Sequence, residues 1–218
     1  RRRHTRYISV TGVQTCALPI YTGLVSKRSE PPAANRQPPA PVEVIILAGG
    51  LSRRMGRDKA QLQLGGRSML AWVREAAQAT GWPVRVVRRD AVPRCGPLGG
   101  VWTAFRRSRA ERLVFLSCDM PFVTADLIRA VAVMREPSVF TVTTAGAGFP
   151  FALDRAVLPQ VRRALAEERF SLQAFARNTH ARRHRPPRPE LAALANVNTA
   201  ADLARAAQRR LVPPRRVA

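Results

Sequence analysis

Residues 42–50 read VEVIILAGG, and this stretch decides the fold. Five of its first six residues are aliphatic, the run is too short for a buried helix, and two glycines end it. Consecutive apolar positions rather than strict alternation mark a strand covered on both faces, as in a parallel sheet flanked by helices. The next residues, LSRRMGRDK (51–59), set Arg53, Arg54, Arg57 and Lys59 beside the glycine turn. A glycine turn lets backbone N–H groups approach a ligand without Cβ interference, and successive N–H groups form an anion-binding concavity. Arginine and lysine then balance phosphate charge. The anion inferred is a nucleoside triphosphate, although neither a Walker pattern nor G-x-G-x-x-G is present. Taken alone, the same residues also suit a solvated basic turn.

Outward from this strand the pattern alternates. MLAWVREAAQAT, 69–80, has helical spacing at Leu70, Val73, Ala76 and Ala77, with Ser68 as cap and Gly81 as stop. VRVV (84–87) and RLVFLS (112–117) read as strands, separated by a loop and a helix around VWTAFRRS. TADLIRAVAVMR is a helix capped by Thr124, VFTVTT a strand, and RAVLPQVRRAL and SLQAFAR are helices. NVNTAADLARAAQRRL closes the pattern with a T-x-x-D capping signature at Thr199 and Asp202. The expected fold is a Rossmann-like α/β three-layer sandwich with a mostly parallel sheet. Ligands of such sheets gather at the carboxyl ends of strands, where Gly49, Gly50 and the CDMP turn (118–121) fall.

The 218 residues carry a formal charge of +23. The cations are spread along the whole chain and are almost all arginine, so basicity by itself points to no nucleic-acid or membrane partner. Residues 1–20 imitate an export signal, yet Arg1–Arg6 and Val10–Ile20 back-translate in one frame to both fixed parts of a sequencing-library adapter. They are set aside as an artefact, and removing their four arginines lowers the charge to +19. Residues 21–41 read as a proline-rich leader, 42–211 as the domain and 212–218 as a tail. Cys95 and Cys118, without metal-ligand spacing or a disulfide framework, suit a reducing cytoplasm. No apolar run reaches the length of a membrane span.

LAGGLSRRMGRDK, CGPLGGV, CDMPF and NVNT occur in this order, and together they resemble the molybdenum cofactor guanylyltransferases, a branch of the nucleotidyltransferases. The resemblance runs from about Val44 to Leu203. It implies Mg²⁺-dependent transfer of GMP from GTP onto the terminal phosphate of molybdopterin or molybdenum cofactor, with pyrophosphate released. It also implies roles for individual residues. Leu47, Ala48, Gly49 and Gly50 contact the nucleotide. Lys59 reaches the phosphates, with Arg54 as a second clamp, whereas solvation suffices for Arg53 and Arg57. Asp119 holds the metal, in keeping with the preference of Mg²⁺ for oxygen and for one or two protein carboxylates. Asp90 contacts the nucleotide, with a local salt bridge to Arg88 or Arg89 as its alternative. Gly96, Gly99 and Gly100 allow close approach at the helix start. Asn196 and Asn198 bind the pterin, with turn formation as their alternative. Cys118 packs, and His180 and His184 lie on the surface.

One departure stands out. The family has an additional strand, ending in a nucleotide-contacting asparagine, and a helix before the GPL segment, where this chain has only GWPVRVVRRD. From Val42 to Asn178 asparagine occurs only at the last position. A fold one strand–helix unit shorter is expected, with base selectivity in question. A cytidylyltransferase, another transferase for a phosphorylated small molecule and a non-catalytic nucleotide-binding protein stay open as alternatives.

Overall fold

Val42–Leu47 forms the central strand, β1, and every one of its six residues is buried. The computed structural model describes residues 41–49, 61–92 and 94–211. Side chains of β1 divide by parity, as a period of two requires. Val44 and Ile46 pack into one core with α1 (Met69–Gln78) and α3 (Ala125–Ala132). Ile45 and Leu47 pack into another with α2 (Gly96–Arg107), α4 (Leu158–Ala166) and α5 (Leu172–Asn178). Two cores on opposite faces of one sheet make three layers, as the continuous apolar run predicts.

The sheet has six strands in the order β4 (Val84–Val87), β1, β5 (Arg112–Ser117), β7 (Gly146–Asp154), β6 (Ser138–Thr143), β8 (Arg182–His184). β1 pairs in parallel with β4 on one side and β5 on the other. Only β7 runs against its neighbours. Phe115, Phe151 and Phe140 are register partners across β5, β7 and β6, and their rings stack with centroids 4.9 and 4.6 Å apart. A hairpin of β2 (Gln63–Leu64) and β3 (Arg67–Ser68) leads into α1.

The caps follow the sequence. Ser68 Oγ accepts from Ala71 N–H and Thr124 Oγ1 from Leu127 N–H. At the start of α6 (Ala200–Leu211) the box is reciprocal: Thr199 Oγ1 accepts from Asp202 N–H at 3.1 Å, and Asp202 Oδ2 accepts from Thr199 N–H at 2.9 Å. Two expectations change. α2 begins at Gly96 rather than near Val101, so GPLGG is the first turn of the helix. His184 is half-buried on β8, and Nε2 is buried without a hydrogen-bond partner; burial lowers its pKa, with Glu190 opposing.

Candidate active site at a strand crossover

β4 and β5 leave β1 in opposite directions, which makes the carboxyl end of β1 a topological switch point, the usual crevice for ligands in open α/β sheets. The register sets the three strand ends level: Leu47 faces Val87 on one side and Ser117 on the other. Gly49, Asp90 and Asp119 each follow within three residues of those ends. Ala48 N–H donates to Val87 O at 2.8 Å and Cys118 N–H to Leu47 O at 3.2 Å, extending both pairings into the turns.

Glycine is required where these turns touch. A Cβ on Gly49 would stand 2.9 Å from the carbonyl oxygen of Arg88, and one on Gly100 would stand 2.9 Å from Leu47 Cδ2 and 3.3 Å from Asp90 Oδ1. On Gly99 it would lie 2.9 Å from Val92 O and 3.4 Å from Asp90 Oδ2. The Asp90 carboxylate thus occupies a notch that exists because three neighbours lack side chains. Burial raises its pKa. Burial, then the charges of Asp90 and Glu168, raises that of Cys95 beside it, so this thiol is not held as a thiolate.

Sequence reasoning missed Thr103, which fixes the Asp90 loop. Its hydroxyl accepts from Ala91 N–H at 2.8 Å and donates to Gly99 O at 2.7 Å. The one hydroxyl in the otherwise apolar VWTAF was the available signal, and the structure buries it fully.

Asp119 is half-buried in the turn after β5, and its Oδ1 is buried with no hydrogen-bond partner. An acceptor withdrawn from water and left unmatched is costly in a finished structure. It suits a cation. Among the described residues no three His, Cys, Asp or Glu gather as a metal cluster. Beside Asp119, Val197 is 1% exposed while Asn196 and Asn198 are exposed, so alternation turns both amides outward. The backbone of Asn198 donates to Asp202 Oδ2 at 3.0 Å. Cys118 is buried in the core, as expected. Gly50, Arg54 and Lys59 lie outside the described residues. Among the described residues no helix is long and apolar enough to cross a membrane.

Comparison with known proteins agrees with this geometry. Residues 44–184 match the MobA-like NTP transferase domain. A molybdenum cofactor guanylyltransferase of Cereibacter sphaeroides is 35% identical, the match covering 74% of this chain and 93% of that protein. It runs over 186 positions, whereas 74% of 218 residues is about 161, so about 25 positions of the relative face no residue here. Molybdopterin-guanine dinucleotide biosynthesis protein A of Archaeoglobus fulgidus has the same fold, with TM-score 0.59, 18% identity and coverage of 78% of this chain and 98% of that one. So has 4-diphosphocytidyl-2C-methyl-D-erythritol synthase of Anaerococcus prevotii, with TM-score 0.61, 12% identity and coverage of 78% and 98%. The chain belongs to the MobA-like NTP transferase family and is a nucleotidyltransferase akin to the molybdenum cofactor guanylyltransferases.

Proposed function

We propose that this enzyme transfers GMP from GTP to the terminal phosphate of molybdopterin or molybdenum cofactor. An oxygen of that phosphate attacks the α-phosphorus of GTP, the bond to the β-phosphate breaks, and pyrophosphate leaves. The observation that carries the reading is the unmatched buried Oδ1 of Asp119 at the carboxyl end of β5, level with the glycine turn that ends β1. Mg²⁺ bound at Asp119 would neutralise charge on the phosphates. Leu47–Gly50 would line the nucleotide, and Lys59 with Arg54 would balance charge gathering on the departing pyrophosphate.

The notch holding Asp90 supports guanine. A carboxylate offers only acceptors, and guanine presents two adjacent donors, N1–H and the 2-amino group, that a carboxylate can accept together. Cytosine lacks that pair. Asn196 and Asn198, facing outward beside the Asp119 turn, would bond the pterin edge. Among the described residues neither Cys95 nor Cys118 is in a disulfide, which suits the cytoplasm.

The absent strand–helix unit, with its asparagine, favours a second reading with looser base choice, reaching to a cytidylyltransferase. Pyrophosphate release with Mg²⁺, molybdopterin and each of GTP, CTP, ATP and UTP, compared as kcat/KM, tests both. GTP should lead, by less than in a full-length relative, since each lost base contact relaxes discrimination by about 1–3 kcal/mol. A CTP preference would move the assignment to the cytidylyltransferase, and no turnover with any of the four would overturn it.

A further inference from the structure

A cavity of about 390 Å³ lies between α5 and the β6–β8 edge of the sheet. Its apolar wall includes Phe140, Val142 and Ala147, and its polar side consists of Arg177, His180 and Arg183 with Gln173. Gly49, Asp90, Asp119 and the two asparagines take no part in it.

Three features distinguish this cavity from a chance gap in an arginine-rich surface. First, the cations come from separate elements and are directed to one face by the fold. Arg183 is the register partner of Phe140 on β8, so strand alternation puts it on the cavity side. Arg177 closes α5, and His180 follows at φ 48° in a turn where Ala181 N–H donates to Ala176 O at 2.9 Å. Histidine is among the residue types that tolerate that backbone region, and the turn brings the imidazole to the cavity. Second, charge is unmatched. Among the described residues no carboxylate lines the cavity and neither Arg177 nor Arg183 has an ion pair, whereas adjacent Arg182 meets Glu136 at 3.6 Å. Third, the hairpin between β6 and β7 is clamped to the cavity wall, because Gln173 Nε2 donates to Ala145 O at 3.1 Å.

Two permanent guanidinium charges beside an apolar wall repel one another, and a low-dielectric wall strengthens the field they share. A dianion relieves the repulsion, and guanidinium forks match phosphate oxygens in paired hydrogen bonds. The volume falls in the range of small-molecule sites, and the phenylalanine and alanine wall suits an apolar or planar body. We propose that this cavity is a second ligand site, apart from the nucleotidyl-transfer site, for a small phosphomonoester with an apolar group: phosphate on Arg177 and Arg183, body against Phe140 and Ala147.

The test is a titration of the full chain with phenyl phosphate, followed through backbone amide resonances. Shifts are expected at Gly146, Ala147 and Ala181. Arg177→Gln and Arg183→Gln should each weaken binding by at least about tenfold, Arg177→Lys by less, and phenol or inorganic phosphate alone should bind more weakly than the ester. Unchanged amide dispersion in the variants separates lost binding from lost folding. Shifts confined to residues 47–49 and 88–100, affinity unchanged in both glutamine variants, or no shifts at all would overturn the proposal.

Discussion

The backbone N–H of Val197 donates to the carbonyl oxygen of Asp119 at 2.8 Å. The loop bearing Asn196 and Asn198 is therefore fastened to the turn bearing the unmatched carboxylate oxygen, and Val197 anchors it by packing with Leu64, Met69 and Ala206. The Asp119 turn and the asparagine loop therefore form one unit. Asp119→Asn should lower nucleotidyl transfer by about 10²–10³-fold, the usual cost of one electrostatic partner, with the fold intact. Lys59→Ala should behave alike. Single-turnover rates at saturating Mg²⁺ and GTP check both, and rates within a few-fold of wild type would remove the role.

Asp90→Asn should separate stability from selectivity. Burial raises the Asp90 pKa above 3.8, so the folded state holds its proton more tightly than the unfolded chain does. Ionisation consequently costs stability at neutral pH, and the cost fades as pH falls toward 3.8. The variant should melt higher than wild type at pH 7, converge with it in acid, and discriminate less between GTP and the other nucleotides. Thermal denaturation against pH and kcat/KM ratios read the two effects.

Gly49→Ala should harm the protein more than Gly100→Ala. At position 49 the new methyl meets the backbone oxygen of Arg88, which cannot move without shifting the Asp90 loop; at 100 it meets first the tip of Leu47, which can rotate. Overpacking of the first kind costs about 1–3 kcal/mol. Denaturant midpoints of the two variants give the comparison, and equal losses would contradict the cause.

Arg112 is fully buried and donates to Asp154 at 2.6 Å and to Glu136 O at 3.1 Å. Burial lowers its pKa while Asp154 opposes the shift. Arg112→Leu should cost about 3 kcal/mol, since removing one partner strands the other. Chemical denaturation measures this, and the partial exposure of Asp154 argues against a larger loss.

Asp202 is held at a pKa of about 2, first by the Thr199 hydrogen bond, then by the Asn198 backbone and Arg205. A depressed carboxylate contributes stability above its unfolded value of 3.8, and the contribution is lost as pH falls through about 2. Amide exchange at Asn198 and Thr199 should accelerate across that window.

The sheet centre was legible because β1 and β5 are apolar runs buried on both faces, and the caps because Ser68, Thr124 and Thr199 stand three residues before a helical N–H they bond. β7 was not, since GAGFPFALD mixes glycine and proline into a strand that only its antiparallel neighbours stabilise. β8, RRH, carries no apolar residue and is a strand by virtue of pairing with β6. Asp90 could be aligned to a motif. The notch that holds its carboxylate, built by Gly49 in the turn after β1 and by Gly99, Gly100 and Thr103 on α2, is a product of the crossover and not of local spacing.

The strand order has a consequence for self-association. Among the described residues the sheet ends on a four-residue strand at one side and a three-residue strand at the other. Each carries arginine: Arg85, drawn inward to Glu43 at 2.8 Å, and Arg182 with Arg183. Short, arginine-bearing margins are poor templates for another chain's β-structure, so both borders of the sheet resist strand-to-strand addition.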